Sequence, residues 1–311
     1  MWKRIIQFIV GSAIVSFIIK HSQRIVIPGF EKVPLYDVAG FFWKGIMEGT
    51  LTMRASAVSF NFFLAIFPSI IFIFTLIPYI PIAHFQDQLL DLLQNFMPSH
   101  AYEATRETIE DIVKNQRGGL LSVGFISALY FSTNGFNALI TAFNTTYHAI
   151  ETRTGFQQRM VSIFLVILAT VLLMTAIGLI IISQVALNRI FHHDELSYYL
   201  ILCGRWIIVF ALFYFLISFT FYLGPSKKSG WKFFSAGSMF ATILSIIMSV
   251  GFAYYVNHFG TYNKLYGSIG TLLVVLLWIY FNSLVVLLGF DLNASIHGAK
   301  RDKDTYANPE V

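Results

Sequence analysis

Charge is scarce in this chain. Asp, Glu, Lys and Arg make up 12% of its 311 residues, about half the ~25% of an ordinary soluble domain, and the mean hydropathy is +0.68. That balance excludes a typical water-soluble globular domain. Cysteine is rarer still. Cys203 is the only one and lies in an apolar run, so no internal disulfide and no cysteine-based metal cluster can form. The eight histidines are scattered, and none makes an H-E-x-x-H or another ligand pair on one helix face. There is no G-x-S-x-G elbow, no phosphate-binding Gly loop and no Ser/Lys pair within an apolar run. No charge sits at the centre of a long apolar run, which removes the usual parts of a proton relay or voltage sensor. The expectation is a protein that is not an enzyme and has no catalytic residue, metal or cofactor.

What remains is apolar length. Six segments, at about 55–80, 120–144, 161–185, 201–224, 235–257 and 267–291, each offer roughly 20 uncharged residues, enough at ~1.5 Å per residue to cross a hydrocarbon core of ~30 Å. The stretches 1–54, 145–160, 225–234 and 292–311 between and around them hold 15 of the 21 Lys and Arg residues. By the positive-inside rule both termini are cytoplasmic. The net charge of +5 is accounted for by those loops, so no nucleic-acid partner is expected. The N-terminal run Ile5–Ile19 is flanked by Lys3-Arg4 and Lys20, and it lacks a small-x-small cleavage site. It reads as an interfacial helix, the alternative being a short additional span. Segment 81–119 has helical apolar spacing broken at Pro98-Ser99 and a net negative charge, which predicts an external helical hairpin. The fold class is therefore all-α: a polytopic membrane protein with six transmembrane helices, an external hairpin and an N-terminal interfacial helix. Its divisions are 1–54, a membrane domain 55–291 and a cytoplasmic tail 292–311.

Two polar stripes run inside these spans. On the second, Ser127, Tyr130, Asn134, Asn137, Thr141 and Asn144 recur at intervals of 3 and 4 and share one helix face. Lipid offers them no partners, so the face looks into the bundle. It is either interhelical glue or the wall of a polar path. On the fifth span, Ser235, Ser238, Thr242, Ser245 and Ser249 repeat the spacing with small side chains, which favours close packing. Asn61 on the first span and Asn282 on the last add polar groups, and Pro68 predicts a kink. Asn61, Asn134, Asn137, Thr141 and Asn282 are the candidate lining of a substrate path.

The last span carries Tyr266-Gly267, Gly270, Leu277-Trp278-Ile279-Tyr280 and Gly289-x-Asp291-x-Asn293-Ala294. Upstream stand Arg54-Ala55-Ser56-Ala57, Phe67-Pro68, Gly119-Leu120-Leu121, Ser132-Thr133-Asn134-Gly135, Pro225, Gly237, Tyr255 and Tyr262-Asn263. Together these resemble the YihY/virulence factor BrkB family over about residues 35–298. Tyr266, Gly267, Trp278, Gly289, Asp291 and Asn293 are the family-motif positions, with Asp291 where Glu is more usual. The chain departs also at Phe60-Asn61, where the family often has a Tyr pair, and at Ala65, where Ser is common. The resemblance implies a six-helix bacterial inner-membrane protein, associated with virulence in some members and with transport, including of lipids. The family's old ribonuclease BN-like label finds no metal-ligand cluster here to support it. Membrane lipids are the expected partners. Anionic head groups could gather at Lys227, Lys228, Lys232, Lys300, Arg301 and Lys303, although topology alone explains those charges. The functional expectation is a transporter or exporter of an amphiphile; the alternative is a non-transporting envelope scaffold.

Overall fold

Long apolar runs without internal breakers become long helices. A computed structural model describes residues 33–79 (without 49), 113–145, 153–190, 195–226, 232–258 and 268–307, with isolated positions at 21, 25, 29–31, 86, 87, 90, 106, 107, 110 and 111. Among the described residues there are seven helices and no strand: α1 (Leu35–Glu48), α2 (Leu51–Leu76), α3 (Gly118–Asn144), α4 (Gly155–Ile190), α5 (Glu195–Leu223), α6 (Ala236–His258) and α7 (Ser268–Ala307). A short 3-10 turn, Ile77–Tyr79, ends α2, which runs through Pro68 as one helix.

Five of these helices, α2 and α4 to α7, are long and apolar enough to cross a membrane. α3 is as long, at 27 residues, but its polar stripe lowers its hydropathy. Its geometry ties it to α2. Arg54 meets the carbonyl of Ala142, Phe62 lies over Gly135, and Phe72 lies over Gly124. The paired numbers rise on one helix as they fall on the other, so the two run antiparallel and in register along their whole length. The glycines are what bring them so close. A Cβ on Gly135 would come within 2.6 Å of the Phe62 ring, and one on Gly124 within 3.1 Å of the Phe72 backbone.

The same device joins α6 to α7. A Cβ on Gly237 would come within 2.1 Å of the Gly289 carbonyl oxygen, and Ser238, Thr242 and Ser245 are buried in the same helix. The small-residue stripe of the fifth span thus serves close packing. Around these contacts Ala55, Val58, Leu139, Phe143, Ile217, Phe221, Leu287 and Phe290 form the main apolar core. Phe143 stacks on Phe290 at 4.0 Å and 12°, and Phe221 meets both edge-on at 5.6 Å. Elsewhere the helices expose Ile167, Leu173, Met174, Ile182 and Val250. Such exposed apolar surface is unfavourable in water and suited to lipid.

Several boundaries differ from the sequence expectation. Residues 155–160, read as loop, are the first turns of α4. Residues 292–307, read as a tail, continue α7, whose 40 residues form one helix. This extension packs Ile296 and Ala299 against Phe30, Val33 and Val38, so a polar-looking segment keeps an apolar stripe with a partner outside the span. Most of the expected 81–119 hairpin lies outside the described residues. Where it is described, Asp87 pairs with Lys114 at 3.4 Å, and Leu90 and Val113 pack with Ile77. The run 5–19, Tyr266, Gly267, Lys227 and Lys228 also lie outside the described residues.

Candidate functional site

The polar stripe of the second span meets a partner that sequence reading placed in a loop. Thr154 precedes α4 and its hydroxyl accepts from the backbone N–H of Gln157 at 3.4 Å, an N-terminal cap. Starting the helix there turns Gln158 and Arg159 towards α3. The Gln158 amide donates to Asn137 Oδ1 and to Thr141 Oγ1, both at 2.9 Å. Arg159 donates to Asn134 Oδ1 at 2.5 Å, and its guanidinium lies 4.9 Å from the centre of the Tyr130 ring. Tyr130, Asn134, Asn137 and Thr141 therefore form one seam with α4, and all of them, with Gln158 and Arg159, remain partly or fully accessible. The T-x-x-Q pattern Thr154–Gln157 was the sequence signal for this earlier helix start.

Asn144 ends the stripe in a different role. Its Oδ1 accepts from the Ser226 backbone N–H at 3.0 Å. Beside it Arg153 donates to the carbonyls of Leu223 and Pro225, both at 2.8 Å, satisfying the end of α5. Burial pulls the Arg153 guanidinium below its ordinary pKa.

The remaining candidates do not join the seam. Asn61 bonds back to the Ala57 carbonyl at 2.8 Å within its own helix. Asn282 bonds to the Trp278 carbonyl at 2.9 Å and accepts from Ser249 at 3.4 Å; Trp278 Nε1 donates to the same Ser249 at 3.3 Å. These contacts link α6 to α7. Pro68 is buried.

The motif at the end of the last span is built for cohesion. Asp291 accepts from both terminal nitrogens of Arg54, at 2.8 and 3.3 Å, with side-chain exposures of 3% and 7%. Arg54 also donates to Ala142 at 3.1 Å, so one guanidinium joins α2, α3 and α7. Asn293 Oδ1 accepts from the Gly237 N–H at 2.8 Å while its amide donates to Ser235 at 2.7 Å. Gly289 is the close-approach point described above. Arg54 and Asp291 are visible in the sequence as motif residues, but not as a pair.

Below this knot, the turn at Gly29–Glu31 places Glu31 against Lys300 at 2.8 Å and Lys232 at 3.7 Å. Partial burial raises the Glu31 pKa, but the Lys300 hydrogen bond and the charges of His297, Lys300 and Lys232 outweigh it and hold the carboxyl below its usual range. Burial pushes His297 down despite the Glu31 charge. Lys232 and Lys300, candidates for lipid head groups, are thus engaged by Glu31. Arg301 lines a cleft of about 480 Å³ with Tyr36, Asp37, Lys44 and Asp302, where both signs of charge stand side by side. Among the described residues no three His, Cys, Asp or Glu side chains come together as a metal site.

The family model "Virulence factor BrkB" matches residues 42–310. The chain belongs to the BrkB family. Among its relatives is a Bacillus subtilis protein, YfkH, whose name describes it as ribonuclease-like; it is 31% identical over 256 residues, covering 81% of this chain and 92% of YfkH. Two others bear the name UPF0761 membrane protein. One, from Haemophilus influenzae, is 26% identical over 266 residues, covering 85% of this chain and 96% of its own. The other, from Tolumonas auensis, is 24% identical over 272 residues, covering 83% and 84%. No solved structure matches. The matched region of this BrkB-family chain takes in the α3–α4 seam, the Arg54–Asp291 pair and the α6–α7 knot.

Proposed function

We propose that this BrkB-family protein moves an amphiphilic molecule, a lipid or lipid-like substrate, across the bacterial inner membrane. The observation that carries the reading is the α3–α4 seam: Asn134, Asn137, Thr141, Gln158 and Arg159 form polar surface along a membrane-length helix pair without being fully enclosed. Pure glue would be expected to bury such groups completely, because an accessible amide or guanidinium facing hydrocarbon is unfavourable.

Six spans and cytoplasmic termini belong to the same proposal. α3 lies in register beside α2 along its full length, so a bilayer crossed by α2 is crossed by α3. An even number of crossings then puts the start of α2 and the end of α7 on one side. The basic groups Arg153, Lys232, Lys300 and Arg301 stand at that end, which the positive-inside rule makes cytoplasmic.

The test is reconstitution into liposomes with a panel of labelled lipids. Translocation above empty vesicles is expected, falling when Asn134 and Asn137 are both changed to Leu. A protein that moves none of the panel, although folded, would overturn the reading and leave the scaffold role. We also propose that the protein is not a nuclease. Purified free of contaminants, it should show no metal-dependent RNA cleavage; chelator-sensitive cleavage abolished by a point substitution in this chain would refute that.

A further inference from the structure

Arg159 is a cation reaching into the depth of the α3 span, and among the described residues no carboxylate pairs with it. Among those residues it meets the Asn134 amide oxygen and the Tyr130 ring. Asn134 lies ten residues from the end of α3 at Asn144, about 15 Å at the helical rise. Arg159 also reaches the wrong way for a side chain seeking water. A snorkelling arginine bends towards the nearer membrane surface, here the end of α3 at Thr141 and Asn144. Gln158, its neighbour on α4, spans Asn137 and Thr141, whereas Arg159 passes beyond them to the deeper Asn134.

The chemistry around it is one-sided. A guanidinium has five N–H donors and no acceptor, and one of them is used on Asn134. That bond uses the Asn134 oxygen, and among the described residues the amide's NH₂ carries no hydrogen bond. Among those residues the Asn137 NH₂ likewise has none, both Asn137 oxygens accepting from Gln158. Donors from two helices thus lie along one seam with a positive charge that has no counter-charge among the described residues, in a medium where such a charge is costly. The flanking surface is apolar and open: Tyr130 is 55% exposed, Ile126 is exposed one turn away on α3, and Phe156 and Met160 are exposed on either side of Arg159 in α4.

We propose that Arg159, Asn134 and Asn137 form a lateral binding site for the phosphodiester of a net-anionic phospholipid, whose acyl chains lie over Tyr130, Phe156 and Met160. Two oxygens of a phosphate match the guanidinium fork. The site faces lipid, so the lipid head group is the occupant rather than a free anion. This deepens the transport reading by naming the substrate class, and it rests on that reading only for the claim that the bound lipid is moved.

The experiment measures lipid bound to the purified protein by native mass spectrometry, with phosphatidylglycerol or phosphatidylcholine as probe and glycerol phosphate as soluble competitor. Phosphatidylglycerol should be favoured about tenfold, the order expected for a charge-assisted hydrogen bond. Arg159→Gln should remove the preference, and Arg117→Gln, at the far end of α3 where Arg117 pairs with Asp111, should keep it. Asn134→Asp keeps the test open if Arg159→Gln fails to fold. It gives Arg159 an internal counter-charge, so it should raise thermal stability while abolishing the preference. The proposal is overturned if the preference survives both seam variants, if Arg117→Gln lowers it as much, or if glycerol phosphate competes as well as the lipid. Arg159-dependent binding in a protein that translocates no lipid would retire the transport reading and leave the site. Translocation with no Arg159-dependent preference would do the reverse.

Discussion

Arg54 and Asp291 show how much can rest on one pair of side chains. Two charges removed from solvent repay their desolvation only while both are present, and breaking such a pair costs on the order of 3–5 kcal/mol. Asp291→Asn leaves the buried guanidinium without its counter-charge and should sharply lower the thermal unfolding temperature in detergent. The double variant Arg54→Met, Asp291→Leu should recover most of that loss, since well-packed apolar groups replace buried ion pairs at little cost. If the double variant is as unstable as Asp291→Asn, the charges do more than neutralise each other. Both residues could be read from the sequence as motif members. Their partnership could not, because they stand 237 residues apart. Each also borders an apolar run, where a charge looks like a boundary marker.

Between helices, glycine governs the contacts. The Gly237 position leaves no room for a methyl group, since the intruding atom would meet the Gly289 backbone, which cannot rotate away. Gly237→Ala should therefore separate α6 from α7 and destabilise the protein well beyond Gly178→Ala, whose Cβ would meet nothing within 4 Å. Equal effects in a thermal-shift comparison would show that the close approach is not limiting. The small-residue stripe on this helix was legible from spacing alone, and so was the polar stripe on α3. The partner of the polar stripe was missed because Gln158 and Arg159 lie outside the apolar run, and hydropathy finds where a span is greasy rather than where its helix begins.

Acid should loosen the contact between the Glu31 turn and α7. His297 has a lowered pKa in the folded protein, so its contribution is present above the ordinary imidazole value of about 6.5 and is lost as pH falls through the lowered value. Glu31 is also lowered, so its contribution is present above the usual carboxylate range and is lost at still lower pH. Both act in the same direction. Amide hydrogen exchange across 292–300 should speed up on acidification once corrected for intrinsic rates, and His297→Phe should shift the onset to lower pH. An onset unchanged in that variant would remove His297 from the account.

At the scale of the whole molecule, composition and charge made the architecture legible: an all-α bundle of membrane-length helices is what 12% charge and repeated apolar runs dictate. Orientation can be tested with single cysteines in a Cys203→Ser background. Gln116 and Lys232 are both exposed and flank opposite ends of the bundle. Cysteines placed there should react with an impermeant reagent from opposite sides of the membrane, Gln116→Cys from outside in intact cells. Labelling of both from outside would refute the six-span arrangement.

At 40 residues, α7 is roughly 60 Å long, twice the thickness of a hydrocarbon core. It has no break at Asp291, so about 24 Å of rod projects beyond the Arg54 clamp. A rod held at a pivot is a lever. A tilt of about 10° within the bilayer would sweep its far end by roughly 4 Å, carrying Ile296, Ala299 and the docked Phe30–Val38 segment with it. A movement of α7 among the spans would therefore be felt where its far end meets Phe30, Val33 and Val38.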